Sequence, residues 1–270
     1  MNTTQKTRLM LFALVPLLGV LPRLGCHAVE IQLPSEAKYF LQQADTSARK
    51  GNVTAAIDSY DQYLKMLTVR DGRDNVQNNY RWILQAEITR ARNEGGRADY
   101  GKLMEELTPL ATQADEAKDP IRQWRLHLLM ADIALQQDNE ERALAEMDAA
   151  IAAYPDLFYP DPARQSSIQF LLNYAALTRA QKDMPAAIEW FLETFTKSPV
   201  CVYVELEPWE NFFKQQGNPE RFVGFYERVV HAFQKKLDDP ALAPKHDSLR
   251  YFMRLFQAGL DRKSTRLNSS

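Results

Sequence analysis

The side chains best suited to chemistry are scattered along this chain. Besides His27, the histidines are His127, His231 and His246, too far apart in sequence to suggest one metal cluster. No glycine-rich phosphate loop, HExxH or CxxC occurs, so the compact signatures of nucleotide, zinc and dithiol chemistry are missing. Carboxylates come as direct neighbours: Glu105-Glu106, Glu140-Glu141 and Asp238-Asp239. Adjacent residues on a helix do not face each other, so these make solvated faces rather than an acid/base pair. His127, within WRLHLLMADI, reads as a helix-packing residue. The expectation is no catalytic residue, no cofactor and no metal.

The cysteines carry little more. Cys201 lies in PVCVYVEL among apolar neighbours, which suits a buried, inert thiol. Cys26 belongs to a different kind of segment. Lys6 and Arg8 precede the apolar run Leu9 to Leu21, 13 residues long; a membrane-spanning helix needs about 20. This reads as an export signal, with two candidate cleavage sites. Cys26-His27-Ala28 fits the small-x-small rule, giving residues 1–28 as the signal. RLGC looks like a lipoprotein box acylated at Cys26, but Arg23 stands where that box wants an aliphatic residue. Soluble export to the periplasm or exterior of a bacterium is favoured, with a lipid anchor at Cys26 as the minor alternative. Without that anchor, no membrane insertion of the mature chain is expected.

Charge narrows the partners. The whole chain holds 33 basic and 35 acidic residues. Residues 1–28 hold three bases and no acid, and the last ten hold three bases and one acid. The body between therefore carries 27 against 34, a net charge of −7. A moderately acidic body without a basic stripe argues against nucleic acid, whose binding depends on phosphate neutralisation.

What would position any functional side chain is helix. The helical period dominates from Ser35 to Leu260, and the chain repeats itself: ADTSARKGNVTAAIDSYDQYL (44–64), ADIALQQDNEERALAEMDAAI (131–151) and AALTRAQKDMPAAIEWFLETF (175–195). Each opens on an alanine (Ala44, Ala131, Ala175) and reaches a polar turn seven residues later (Gly51, Asp138, Lys182). Each then presents a second alanine, Ala56, Ala143 or Ala187, and a larger residue four positions on: Tyr60, Met147 or Phe191. Small residues let two helices approach so that a neighbour's bulky side chain fills the gap. Turns and starts follow the same logic. Gly217 is expected to end a helix, Asn218 to cap the next and Pro219 to occupy its first turn, with Asp119-Pro120 and Asp161-Pro162 as further starts. Asn52, which heads an Asn-x-Thr glycosylation pattern, is better explained as a cap.

This pattern resembles the tetratricopeptide repeat (TPR) family, best in LLMADIALQQDNEERALAEMDAAIAAYP (128–155), where Ala131, Ala143, Met147, Ala150 and Pro155 fall at the small, small, large, small and proline positions. Two further units are degenerate, with Gly96 as turn and Gly101 as small residue in one, and Phe222 at the small position of the other. The small positions 56, 101, 143, 187 and 222 are spaced 45, 42, 44 and 35 residues apart, mostly longer than the family's period of about 34. The resemblance implies an all-α, TPR-like solenoid of about five antiparallel helix pairs. It further implies a concave face, lined by the first helix of each unit, that takes a protein or peptide. On that register the groove-facing candidates are Asp45, Arg49, Arg90, Arg125, Asp132, Gln136, Gln169, Asn173 and Arg179. The alternative for any one of them is a charge that keeps a helix surface wet. Leu41, Leu128 and Leu172 stand where the carboxylate-clamping subgroup has lysine or another polar residue, which argues against that subgroup.

Two connectors stand out, YPDLFYPDPARQ (154–165) and the β-like SPVCVYVELEPWENFF (198–213). Both read as ordinary linkers whose aromatics Phe158, Tyr159, Tyr203 and Trp209 cap the neighbouring core; the functional alternative is a segment lying in the groove. The leading functional expectation is a non-enzymatic exported scaffold or adaptor. The alternatives are the docking arm of a larger enzyme or signalling protein, and an α-helical glycan-processing enzyme with inward acids about 5–10 Å apart. His246 to Leu260 should form the first helix of another unit, on Leu249, Phe252, Met253 and Phe256. The following DRKSTRLNSS (261–270) shows no helical stripe and resembles translated sequencing adapter. The expectation is therefore a domain over 29–260, incomplete at its C-terminal side, followed by a non-native tail.

Overall fold

The first turn shows how the chain folds back. Helix α1 (Ser35–Arg49) ends at Gly51, whose φ of 75° is open to glycine without strain. Asn52 then accepts a 3.1 Å bond from the Ala55 amide and starts α2 (Val53–Met66). The computed structural model describes residues 35–67, 79–154 and 166–268, with only the helical backbone at 166, 167, 170 and 262–268. The export segment with Cys26, most of the 154–165 connector with Phe158, Tyr159 and Asp161-Pro162, and the last two residues lie outside them.

The same devices recur. Asp99 caps α4 (Tyr100–Glu116), and Asp119, with Pro120 behind it, caps α5 (Pro120–Gln136). Asn139 caps α6 (Glu140–Ala152) and Asp183 caps α8 (Met184–Lys197). Between them lie α3 (Arg81–Asn93) and α7 (Ser166–Ala180). Beyond come α9 (Glu207–Gln215), α10 (Arg221–Leu237), a 3-10 turn at Pro240–Lys245 and α11 (His246–Asn268). Among the described residues every regular element is a helix.

Packing follows chain order. Successive helices pack as α1 on α2, α4 on α5, α5 on α6, α7 on α8 and α10 on α11. Alternate helices also meet: α1 with α3, α3 with α5, α2 with α4, α7 with α9 and α8 with α10. All six repeat alanines (44, 56, 131, 143, 175 and 187) are buried at these contacts, as the spacing argument requires.

Several local expectations are corrected. Gly95, with φ 73°, makes the turn after α3, and Gly96 instead donates its amide to the Ala91 carbonyl at 2.8 Å. Gly101 is exposed; buried Leu103 takes the fourth position of α4, the one Ala56 holds in α2. Asn218 does not cap α10. Asn218-Pro219-Glu220 form a turn and the helix begins at Arg221 without a side-chain cap. Helix α11 continues past Leu260 to Asn268: eight of the ten terminal residues are helical, because nothing in DRKSTRLN breaks a helix already under way.

The β-like run forms no strand. Residues 199–200 make a bend and 201–206 join no regular element, and Val200, Cys201, Val202, Val204 and Leu206 are buried. Tyr203 lies tilted 4.8 Å from Phe252 and stacks on Phe256 at 5.9 Å, while Trp209 packs 4.5 Å from Phe225. These are core-capping contacts. Cys201 is sealed in the same layer, its thiol pushed up to about 11 by burial.

Candidate functional site

The nine sequence candidates separate into pairs already made and groups left over. Asp45 and Arg49 are exposed and pair with each other at 2.9 Å along α1. Arg90 binds buried Glu87 at 2.7 Å and Glu94 at 2.7 Å. Asp132 lies beneath Arg81, which holds it through Nε and through a 3.0 Å bond from Nη2, tying α3 to α5. Burial raises the Asp132 carboxyl and Arg81 opposes the rise. Asn173 donates to the Glu205 carbonyl at 2.8 Å and accepts from Trp209 Nε1 at 3.0 Å, clasping α9 to α7. Arg179 bonds Asp148 at 2.6 Å and lies over Trp190 at 4.2 Å. Asp132, Asn173 and Arg179 thus each have a partner on another element.

Three candidates remain. Gln136 is exposed at the end of α5, and Gln169 is buried in α7. Neither has a side-chain hydrogen bond among the described residues. Arg125 stands apart: it is 5% exposed, and it makes no hydrogen bond or ion pair among the described residues. A buried cation without a counter-ion is costly, so its surroundings carry the interest.

Those surroundings join α2, α3 and α5. Tyr80 at the head of α3 donates to Asp61 of α2 at 2.6 Å. Arg122, one turn before Arg125 on α5, reaches Asp61 at 3.4 Å and Asp58 at 3.3 Å. The Tyr60 ring lies 5.3 Å from Trp82, 6.2 Å from Tyr80 and 5.4 Å from Tyr63. Burial pushes Tyr60 up to about 12 and Tyr80 well above the usual phenol value, and Arg125 pulls both back. Asp61 is raised by burial, against Tyr80, Arg122 and Arg125. The nitrogens Trp82 Nε1, Arg122 Nε and Arg125 Nε are all buried with no acceptor. The arrangement is thus a donor-rich, aromatic-walled cluster in which Arg125 has no directly bonded counter-ion.

Of these groups the sequence argument selected Arg125 alone and missed Tyr60, Asp61, Tyr80, Trp82 and Arg122. A signal was present in YRW (80–82) and RQWR (122–125), arginines set beside aromatics at the starts of α3 and α5.

His127 also does more than pack. Its Nδ1 lies 2.8 Å from Glu146 of α6, and Nε2 lies 3.7 Å from Asp115 of α4. Glu146 raises its pKa above 6.5 in spite of burial. A raised histidine value means the folded state holds the proton more tightly. The stabilisation is full below about pH 6.5 and is lost as pH rises through the folded value. Urea unfolding across pH 5–9 should show that loss, and Glu146→Gln should flatten it; an unchanged profile in the variant would assign the pH dependence elsewhere.

Among the described residues, no group of three or more His, Cys, Asp or Glu is placed to hold a metal ion, and no helix is long and apolar enough to cross a membrane. No protein-family model, no curated protein and no solved structure matches the chain.

Proposed function

We propose that this chain is an exported, non-enzymatic binding protein that receives a protein or peptide along its odd-numbered helices. In this reading α1–α2, α5–α6 and α7–α8 are antiparallel TPR-like pairs stacked as a solenoid, α3 and α4 form a degenerate unit between them, and α1, α3, α5 and α7 line its concave side. The observation that carries it is the contact of α1 with α3 and of α3 with α5, beside which Arg125 of α5 makes no hydrogen bond or ion pair among the described residues. A packed scaffold has no use for such a residue, whereas a ligand-binding face does.

The test is selection from a phage-displayed peptide library against the full chain, expressed in a bacterial host and recovered from its periplasm. Enrichment of a common motif with micromolar affinity is expected. Failure to enrich any peptide, together with hydrolysis of a glycan or peptide by the purified chain, would overturn the reading.

A further inference from the structure

We propose that the Arg125 cluster is a subsite for a ligand's carboxylate, with Arg125 as its anchor; this deepens the peptide-binding reading by naming the group the ligand presents. Three features converge. Arg125 is buried and unpaired, although Asp61 is close enough for its charge to be felt by Arg125. Of its nitrogens only Nε is both shut off from solvent and without an acceptor, so the far end of the guanidinium keeps a route to the outside. Trp82 Nε1 and Arg122 Nε are further donors with no acceptor, and Tyr60 links Trp82 to Arg125. Every unmet need here is for an acceptor.

Charge decides which acceptor. Arg122 holds both Asp58 and Asp61, so the two arginines and two aspartates balance, and Arg125 is the one of the four without a bonded partner. A monoanion bound to Arg125 meets less repulsion from Asp58 and Asp61 than a phosphate dianion would. A carboxylate also matches the flat fork of a guanidinium with two oxygens. Tyr60 and Trp82 supply an apolar wall for the stem that carries it.

A charge retained for a ligand and one retained for the fold respond oppositely to removal. Arg125→Met keeps the length and drops the charge. The variant should melt a few degrees above wild type without ligand. Sodium benzoate should raise the wild-type melting temperature and leave the variant unmoved, with affinity by calorimetry falling about tenfold or more. Trp82→Phe, which keeps the ring and removes one donor, should weaken benzoate while preserving the fold. Inorganic phosphate should stabilise less than benzoate.

An equal benzoate shift in wild type and Arg125→Met means an adventitious ion only and overturns the subsite. So does a stronger response to phosphate, or an Arg125→Met chain that melts lower and a wild type indifferent to benzoate. Should Arg125→Met fail to fold, unaltered benzoate affinity in Trp82→Phe is enough to overturn it. Competition between benzoate and a selected peptide places the carboxylate on a peptide, and amidating that peptide's C-terminus separates a terminal from a side-chain source. Benzoate binding with no selectable peptide leaves the subsite standing and ends the peptide-binding reading. Peptides that bind wild type and Arg125→Met alike do the reverse.

Discussion

Replacing Trp209 with alanine is expected to lower the unfolding free energy by about 3–5 kcal/mol. The indole is fully buried, 5.2 Å from Phe191, 4.5 Å from Phe225 and 6.3 Å from Phe213. These rings come from α8, α10 and α9, so no single helix can close the hole. The truncation also leaves the Asn173 Oδ1 atom, which accepts the indole N–H at 3.0 Å, without its donor in a buried place. Trp209→Phe separates the two contributions, since it keeps most of the ring contact and loses only the hydrogen bond; about 1–2 kcal/mol is expected for it. Urea denaturation followed by circular dichroism measures both. A loss under about 1 kcal/mol for Trp209→Ala would mean that the aromatic layer relaxes freely, contrary to the packing described.

Lys236→Met should cost about 2–4 kcal/mol, although it removes a buried charge. Lys236 is 1% exposed. Its ammonium donates to the Phe195 carbonyl at 2.7 Å and to the Ser198 carbonyl, and it lies 4.7 Å over the Phe195 ring. The lysine therefore closes the C-terminal end of α8, where carbonyls have no helical donor. Methionine fills the volume and leaves both carbonyls bare, which is where its effect differs from that of Arg125→Met. One buried cation is spent on the fold and the other is left over.

The proton balance gives a second readout. Burial lowers Lys236 to about 8, so between pH 8 and 10.5 the unfolded chain binds more protons and stability rises with pH. Cys201, pushed up to about 11, works the other way above pH 9, since its thiol ionises first in the unfolded chain. The net rise is thus confined to about pH 8–9 and should vanish in Lys236→Met. Stability in the variant equal to wild type, with the rise intact, would contradict this assignment.

How much of this was written in the sequence varies by level. The alanine pairs 44/56, 131/143 and 175/187 announced close helix contacts, and all six are buried. Asn52 and the Asp119-Pro120 start were readable because a cap acts within three residues. Where two solutions are locally equivalent, the reading slipped. Gly95 and Gly96 can both make the turn after α3, and which one adopts φ 73° depends on where α3 stops. The terminal residues show no apolar stripe to mark a helix, yet a helix can extend on propensity once nucleated.

The site was harder, and for one physical reason. Register predicts which face of its own helix a side chain occupies, but not what the neighbouring helix brings to it. Asp132, Asn173 and Arg179 were assigned to an open face, and they meet Arg81, Trp209 and Asp148, each more than 30 residues away in sequence. Arg125 was assigned in the same way, and its neighbourhood brings no carboxylate within bonding distance.

The central claim, that ligands lie along the odd-numbered helices, is tested most directly by photo-crosslinking. A selected peptide carrying benzoylphenylalanine would be irradiated with the full chain and the adducts mapped by mass spectrometry. The account predicts adducts on α1, α3, α5 and α7, near Asp45, Arg125, Gln136 and Gln169, that disappear with excess unlabelled peptide. Adducts confined to the even-numbered helices, for instance at the open groove between α8 and α10 lined by Glu193 and His231, would contradict it.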